Sequence, residues 1–164
     1  MLTGSGGDLT AYAINQWLKW LRISDFFSPR GGYSFYGLDG YATYDDIVQG
    51  SIGNCWLMAA ISAIAENPGY IERVFGAHAE ESYINAYGFY DVNLFMLGAP
   101  ITVRIDDYVP TYNSYTVTLF SKMFNRGVWV SVLEKAFAKL NGNYSALVGG
   151  YSEQAINTML GTPQ

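Results

Sequence analysis

The chain's single cysteine lies in QGSIGNCWLMAAISAIAENPG, residues 49–69, where Cys55 opens an apolar run. A cysteine acts as a nucleophile through its thiolate, which the partial positive charge at a helix N-terminus stabilises. Gln49 lies six positions before Cys55, and its side-chain amide could donate to a developing oxyanion together with the Cys55 backbone N–H. A lone cysteine before an apolar helix is also often a small buried core residue, so the residue types alone leave both interpretations open.

The elements around Cys55 follow from the hydrophobic pattern. The apolar run predicts a buried helix over Cys55–Ala65, preceded by Gly53 or Asn54 and stopped by the NPG sequence at residues 67–69. A short helix is expected at Tyr70–Phe75. The stretch YGFYDVNLFMLGAPITVRIDDYVPTY, residues 87–112, alternates apolar and polar residues and predicts an antiparallel hairpin with its turn at residues 98–100. A third strand is expected at residues 114–120.

Further helices are predicted on either side of these strands. Residues 9–23 carry apolar side chains at helical spacing, and VWVSVLEKAFAKLNG at residues 128–142 has the clearest helical pattern, with Gly142 as its C-cap glycine. Residues 26–46 are rich in glycine and tyrosine and are expected to form a long loop that is functional or braced by a partner. Ser152 is expected to cap a last helix over residues 153–160. Helices, then strands, then helices indicate an α+β fold.

Composition limits the classes of protein that fit. The 164 residues suffice for one domain, and the net charge of −5 argues against a nucleic-acid binder. One cysteine excludes an internal disulfide framework and a cysteine-rich zinc site. No signal-peptide pattern and no apolar stretch approaching the ~20 residues of a membrane span are present, so we expect a cytoplasmic protein. The 14 Tyr, 9 Phe and 4 Trp imply either an aromatic core or an aromatic surface covered by a partner.

Three ordered blocks of the sequence resemble one known family. DIVQGSIGNCWLMAAISAIAEN, residues 46–67, resembles the active-site segment of the calpain family of papain-like cysteine proteases, whose pattern is close to D-I-x-Q-G-x-x-G-[DN]-C-W-[FL]-[LM]-[AS]-A. VRIDDYVPT at residues 103–111 is similar to the calpain strand ending in V-D-D-x-L-P. Residues 128–161 are similar to the family's F-W-x-x-L-L-E-K-A-Y-A-K-L-x-G-x-Y-x-x-L-x-G-G block and the short helix after it. The resemblance covers roughly residues 37–161. We therefore divide the chain into a leader, helix and Gly/Tyr-rich loop at 1–36 and a calpain-like first catalytic lobe at 37–164.

The resemblance implies a fold and a set of site residues. The fold would be the α+β first lobe of a papain-like protease core, with a central buried helix that carries Cys55 and packs with a small antiparallel sheet and further helices. Cys55 would be the nucleophile and Gln49 the oxyanion donor. The wall of the cleft would be formed by Gly53, Asn54 and Trp56.

The acidic residues fall into two groups. Asp46 lies where calpains use a carboxylate to bind calcium in this lobe, so the resemblance implies a possible calcium ligand. The glutamate that calpains place before the long helix aligns with Gly127 here, so at most a weak calcium site is expected, and no other cofactor. Asp106 and Asp107 end a strand before a proline-containing turn, where carboxylates commonly cap the turn and pair with Arg or Lys. We expect this second pair to be structural.

Calpain catalysis uses a His and an Asn from a second lobe that would follow the residues seen here. The sequence stops at Gln164, and its one histidine, His78, is expected to lie in an exposed loop. The chain alone is expected to be inactive, because the thiol would have no proton acceptor. The first hypothesis is therefore the nucleophile-bearing lobe of a calpain-like cysteine endopeptidase, which acts on a peptide or protein substrate with a second lobe in cis or in trans.

Two non-catalytic hypotheses stand beside the first. One is a calpain-like pseudoenzyme that serves as a structural or binding subunit of a larger protein assembly. The missing His and Asn, the changed calcium position and the tyrosine-rich loops motivate it. The other is a regulatory or inhibitory lobe that binds peptide segments without cutting them. In every case a lone first lobe would expose the apolar face that normally meets a second lobe, and such a patch needs a partner.

Overall fold

The computed structural model of the protein describes residues 18–50, 53–76, 87–112 and 117–161. Within these ranges the chain forms helices and strands joined by short 3₁₀ helices. The α-helices are α1 (Ile23–Phe27), α2 (Cys55–Ala65), α3 (Tyr70–Phe75), α4 (Trp129–Leu140) and α5 (Ser152–Leu160). The strands are β1 (Leu18–Arg22), β2 (Ile47–Val48), β3 (Phe89–Met96), β4 (Ala99–Asp106), β5 (Tyr108–Tyr112), β6 (Val117–Thr118) and β7 (Lys122–Met123).

The described strands pair into three small antiparallel sheets, in the orders β1-β5-β6, β2-β7 and β3-β4. Helix α4 lies against β4, α5 lies against β3, and α2 packs on α5. Buried side chains from these helices and strands form a hydrophobic core cluster. The combination of helices with small antiparallel sheets confirms the α+β class.

Helix α2 has the predicted bounds, with one difference in its burial. Leu57, Ile61 and Ile64 are among its buried residues and face the core. Cys55, Ala59 and Ala63 are exposed and recur every four residues, so they share one face of the helix. The expectation of burial nearly all round was therefore wrong for this face. Alanine reads as apolar in the sequence, but its small side chain is equally compatible with an accessible surface.

The β3–β4 hairpin confirms the predicted strands and corrects their turn. Its register pairs Met96 with Ala99 and Phe95 with Pro100, so the turn consists of Leu97 and Gly98. Both turn residues have positive φ, 51° and 80°, as a two-residue type I′ turn requires. Ala99 and the following proline thus begin β4 and do not belong to the turn at 98–100.

The helix predicted over residues 9–23 is wrong in its described part. Residues 18–22 form β1, which pairs antiparallel with β5 from Leu18↔Tyr112 to Arg22↔Tyr108. Residues 9–17 lie outside the described residues. A five-residue apolar pattern fits a helix and a strand about equally well, and here pairing with a strand far along the chain decides the outcome.

The third strand predicted at residues 114–120 is shorter in the structure. Only Val117–Thr118 form β6, and residues 113–116 lie outside the described ranges. Leu119 and Phe120 follow the strand and are buried in the core. The apolar character that suggested a longer strand therefore reflects burial in the core.

Many of the chain's aromatic side chains are buried in the hydrophobic core. Phe35 packs edge-on against Phe75 and Tyr36, with ring centroids 4.8 Å and 4.9 Å apart, and it also contacts Tyr90. Residues of the Gly/Tyr-rich loop thus supply part of the core, and residues 18–36 pack with the rest of the described chain. The division at residue 36 stays a prediction. Other aromatic side chains are exposed: Tyr41, Tyr44, Tyr70, Tyr87, Phe124 and Tyr151.

The two C-terminal helices have close to their predicted bounds, but the expectation that Ser152 caps the last one was wrong, because Tyr151 is its N-cap residue and no side chain caps it. Helix α4 ends at Leu140, and Gly142, two residues on, has a φ of 100° that favours glycine. Helix α5 begins at Ser152, whose hydroxyl donates to the backbone carbonyl of Trp56 at 2.9 Å, so this residue ties α5 to α2. Among the described residues, no helix has both the length and the apolar character needed to cross a membrane.

Candidate active site

The thiol of Cys55 is exposed at the first residue of α2. Asn54 is the N-cap residue, and its backbone carbonyl accepts hydrogen bonds from the amides of Leu57 at 3.0 Å and Met58 at 3.2 Å. The sulfur therefore lies at the end of the helix where backbone N–H groups point outward and favour negative charge. Of the two interpretations of the cysteine, the structure supports the accessible one.

The segment at residues 147–152 packs against the start of α2. The indole N–H of Trp56 donates to the carbonyl of Leu147 at 2.7 Å, and the amide of Gly149 donates to the carbonyl of Gly53 at 3.1 Å. A Cβ at Gly150 would lie 2.5 Å from the Trp56 indole, so the backbone of residue 150 lies directly against the ring. This segment belongs to the calpain-like block at residues 128–161, but its contact with the start of α2 was not expected from the sequence. The adjacent glycines Gly149 and Gly150 were the sequence signal that could have indicated this close contact.

Gln49 is exposed and directly follows β2. The β2–β7 pairing sets Val48 opposite Lys122 and so fixes the segment that carries Gln49. Gly50 has no room for a side chain, because a Cβ there would lie 1.5 Å from the carbonyl oxygen of Phe120. The structure thus places Gln49 in an anchored segment. Its role as an oxyanion donor stays a prediction.

A buried polar cluster, which we call the Glu134 cluster, lies on the core side of Cys55. It comprises Asn54, Glu134, Ser121 and Ser131. The Glu134 carboxylate accepts hydrogen bonds from the Asn54 side-chain amide, from the Ser121 hydroxyl at 2.8 Å and from the Ser121 amide at 3.0 Å. Asn54 is fully buried and Glu134 is 1% exposed. Burial raises the pKa of Glu134 to about 7, although the hydrogen bonds from Ser121 and Asn54 act in the opposite direction.

Sequence reasoning missed the role of this glutamate. Glu134 lies beside the apolar stripe of α4, next to Leu133, and helical periodicity does not distinguish a buried carboxylate there from an exposed one. The same reasoning assigned Asn54 to a cleft wall. In the structure its side chain points into the interior, and only the neighbouring Cys55 and Gly53 are exposed. Trp56, the other proposed wall residue, is half-buried.

Asp46, the possible calcium ligand, is buried, and its carboxylate already accepts hydrogen bonds from other residues. Its Oδ2 atom accepts hydrogen bonds from the Thr43 amide at 3.0 Å and the Trp129 indole at 3.1 Å. It completes a capping box with Thr43. Burial raises the pKa of Asp46 above its usual value, and the hydrogen bonds from Thr43 and Trp129 oppose that shift. These contacts give Asp46 a structural role without any metal.

Asp39, whose charge also acts on Asp46, has a hydrogen-bond partner of its own. The nearby carboxylate of Asp39 accepts a hydrogen bond from the Asn125 amide at 2.6 Å. Among the described residues, no group of three or more His, Cys, Asp or Glu side chains is placed to hold a metal ion. Calcium binding stays a prediction.

The expectation for Asp106 and Asp107 is confirmed. Asp107 pairs with Arg22 at 3.2 Å, and Asp106 pairs with Lys135 and accepts a hydrogen bond from the Tyr108 amide at 2.8 Å. Asp106 therefore joins β4 to α4, and Asp107 joins the end of β4 to β1. The chain's one histidine, His78, lies outside the described residues.

Comparison with known proteins agrees with this arrangement. A family model described as "Calpain family cysteine protease" matches residues 9–164, a longer span than the three blocks that carry the resemblance. The chain is 36% identical over 147 residues to the rat calpain-1 catalytic subunit, and this match covers 88% of the chain and 19% of that protein. It is 36% identical over 146 residues to the human calpain-1 catalytic subunit, with the same coverage, 88% and 19%. It is 39% identical over 123 residues to rat calpain-8, which covers 74% of the chain and 17% of that protein.

The chain thus spans about a fifth of the length of the curated relatives it matches, 19% for the calpain-1 catalytic subunits. The residues that the family model matches, 9–164, include Gln49 and Cys55. The family model covers nearly the whole sequence. The chain belongs to the calpain family of cysteine proteases.

Proposed function

We propose that this chain is the nucleophile-bearing lobe of a calpain-like cysteine endopeptidase. The observation that carries the proposal is the exposed thiol of Cys55 at the first residue of a helix whose other side is packed in the core. An accessible cysteine at that helix end has the position and the electrostatic environment that a thiolate nucleophile needs.

In the proposed reaction the Cys55 thiolate attacks the carbonyl carbon of a peptide bond and a C–S bond forms. The carbonyl oxygen becomes an oxyanion, which accepts hydrogen bonds from the Cys55 N–H and the Gln49 side-chain amide. When the intermediate collapses, the C–N bond breaks and the leaving amine takes a proton, which leaves a thioester. Water then attacks the thioester carbon, the C–S bond breaks, the acyl group leaves as a carboxylic acid and the thiol is regenerated.

The proton transfers in this reaction require a base near the thiol. In the calpain family the base is a histidine from a second lobe, oriented by an asparagine. We therefore propose that the lobe works with such a second lobe, in cis or in trans, and that these 164 residues alone do not turn over substrate. The substrate class is a peptide or protein in an extended conformation.

A second candidate is a calpain-like lobe that binds without cutting, as a structural or binding subunit of an assembly. It is favoured by the exposed apolar side chains on the segment that surrounds Trp56. Val148 is 41% exposed and Tyr151 is 65% exposed. These side chains could contact a bound peptide or a partner even when no chemistry follows.

The experiment that separates the two candidates uses the single cysteine as its own reporter. The chain is treated with a peptide that carries a thiol-reactive epoxide, and the adduct at Cys55 is measured by mass spectrometry and compared with labelling by iodoacetamide. A peptide-directed nucleophile should react faster with the peptidyl reagent, and Cys55→Ser should give no adduct. The same peptide without the epoxide should slow the labelling of Cys55.

Hydrolysis is then measured on a fluorogenic peptide with the chain alone and after joining it to a second lobe that supplies His and Asn. Hydrolysis only in the joined protein, lost in Cys55→Ser, supports the endopeptidase. If the peptide protects Cys55 but the joined protein does not cut it, the binding subunit is the better description.

A further inference from the structure

One buried carboxylate contacts the residue before Cys55 directly, and it is linked through Ser121 to the segment that carries Gln49. We propose that Glu134 is a positioning residue that fixes the spacing between the Cys55 N–H and the Gln49 side chain. The inference rests on the proposed function, because the spacing matters only if an oxyanion binds between these donors.

The first connection runs to the nucleophile. Asn54 directly precedes Cys55, and its side-chain amide donates to Glu134 from a fully buried position. An N-cap asparagine commonly accepts a hydrogen bond from its own helix, but Asn54 makes no such bond. Its side chain is used for the contact with α4. The position of the first turn of α2 therefore depends on Glu134.

The second connection runs to Gln49 through Ser121. Both the amide and the hydroxyl of Ser121 donate to the Glu134 carboxylate. On one side of Ser121 is Phe120, whose carbonyl oxygen lies against the backbone of Gly50. On the other side is Lys122, which pairs with Val48 in the β2–β7 sheet. Gln49 lies between Val48 and Gly50, so both of its neighbours are held by residues next to Ser121.

Ser121 is itself firmly placed. Its carbonyl accepts a hydrogen bond from the Thr118 hydroxyl at 2.7 Å, and its hydroxyl lies 3.0 Å from that of Ser131 on α4. The groups that hydrogen-bond to Glu134 are neutral, so hydrogen bonds rather than an ion pair stabilise its charge. Loss of a donor to a buried carboxylate is costly, and this cost opposes any movement of Asn54 or Ser121. The two segments are thereby held at one separation.

The test separates the geometry of the oxyanion site from the reactivity of the thiol. At pH 8 the Cys55 thiol is alkylated with iodoacetamide, which requires no oxyanion donor. A peptide aldehyde is then used to protect the thiol: the sulfur adds to the aldehyde carbon, the thiol proton moves to the oxygen, and that oxygen occupies the oxyanion site. The aldehyde concentration that halves the alkylation rate measures how well the site is formed.

Glu134→Ala should weaken protection by the aldehyde at least about tenfold while changing alkylation by iodoacetamide no more than about twofold. Glu134→Gln should restore protection, because its oxygen can still accept from Ser121 and its amide can donate to the Asn54 Oδ1 atom once the Asn54 side-chain amide rotates. That Oδ1 atom is buried and has no hydrogen-bond partner among the described residues. Leu133→Ala is the matched control. Its side chain is fully buried on the same helix, so it should lower stability without changing either measurement.

The other outcomes are also decisive. If Glu134→Ala protects as well as the unaltered chain while Gln49→Ala does not, the inference about Glu134 is wrong and the proposed oxyanion site stands. If the aldehyde protects the unaltered chain no better than it protects Gln49→Ala, the proposed oxyanion site is wrong, and the inference about Glu134 is wrong with it. If Glu134→Ala does not fold, Asn54→Ala is used instead, because it removes only one of the donors to Glu134. This variant should show the same selective loss of protection by the aldehyde. Unchanged protection in Asn54→Ala would refute the inference.

Discussion

The indole N–H of Trp56 donates to the backbone carbonyl of Leu147 at 2.7 Å and so joins the first turn of α2 to a segment 91 residues away in the sequence. The same indole covers the backbone of Gly150. The residue after the nucleophile is therefore held by a hydrogen bond at its edge and by backbone packing on its face. This arrangement gives a direct test of how the 147–152 segment supports the site.

Gly150→Ala should destabilise the protein by about 1–3 kcal/mol, because the added methyl group would lie 2.5 Å from the Trp56 ring. Denaturant unfolding measures this loss. In a Trp56→Ala background the clash is removed, so the same glycine substitution should cost much less, and the difference gives the coupling between the two residues. Equal costs in both backgrounds would contradict the packing of Gly150 on the indole.

Gly50→Ala should be more damaging, because its methyl group would meet the backbone carbonyl of Phe120 and not a side chain that can rotate away. We expect a loss of more than about 2 kcal/mol in the free energy of unfolding. Gly53→Ala is the control, because the nearest atom to its added methyl group would be 3.9 Å away, and it should change stability by less than about 1 kcal/mol. Similar effects from the two substitutions would contradict the close approach of residues 50 and 120.

Much of the fold could be predicted where local signals were strong. The apolar run and the NPG stop gave α2 its observed bounds, Cys55–Ala65. The alternation at residues 87–112 gave β3 and β4, although the turn was placed one residue late because Pro100 was taken as part of it. Pro100 lies in β4, opposite Phe95. The helix predicted at residues 18–22 was wrong because the apolar pattern there is short and the strand that pairs with β1, β5, is about 90 residues away in the sequence.

The candidate site could be predicted only in its local part. The position of Cys55 at a helix start followed from the residues beside it. The contact of Asn54 with Glu134 spans 80 residues, and neither residue type reveals such a pairing in a single sequence. The carboxylate of Asp46 likewise accepts a hydrogen bond from the indole of Trp129, 83 residues away in the sequence. Long-range contacts such as these arise from the packed fold and have no local pattern.

Removal of calcium tests the role of Asp46. The hydrogen bonds from Thr43 and Trp129 occupy its Oδ2 atom, so we expect the melting temperature to be the same in millimolar calcium and in excess chelator. Asp46→Ala should cost about 1–3 kcal/mol because it leaves buried donors unpaired. Asp46→Asn keeps an acceptor oxygen and should cost less. A rise in melting temperature with calcium that is lost in Asp46→Asn would instead establish a calcium site.

The pH dependence of stability tests the environment of Glu134. Burial raises its pKa from 4.5 to about 7 in the folded protein, so between these values the folded state binds more protons at this carboxyl than the unfolded state does. The stability that this group contributes is therefore complete below pH 4.5 and is lost as the pH rises through 7. Tyr144, which also faces Glu134, stays neutral in this range because burial raises its pKa well above the usual value.

Glu134→Gln has no titrating group at this position and should remove that loss. In urea unfolding between pH 5 and 8, the difference in stability between the unaltered chain and Glu134→Gln should change in favour of glutamine as the pH rises, by up to about 1.4 kcal/mol per pH unit. Glu153→Gln, at the exposed start of α5, is the control and should show a much smaller change. A difference between Glu134→Gln and the unaltered chain that does not vary with pH would mean that Glu134 titrates normally and is not enclosed in the Glu134 cluster.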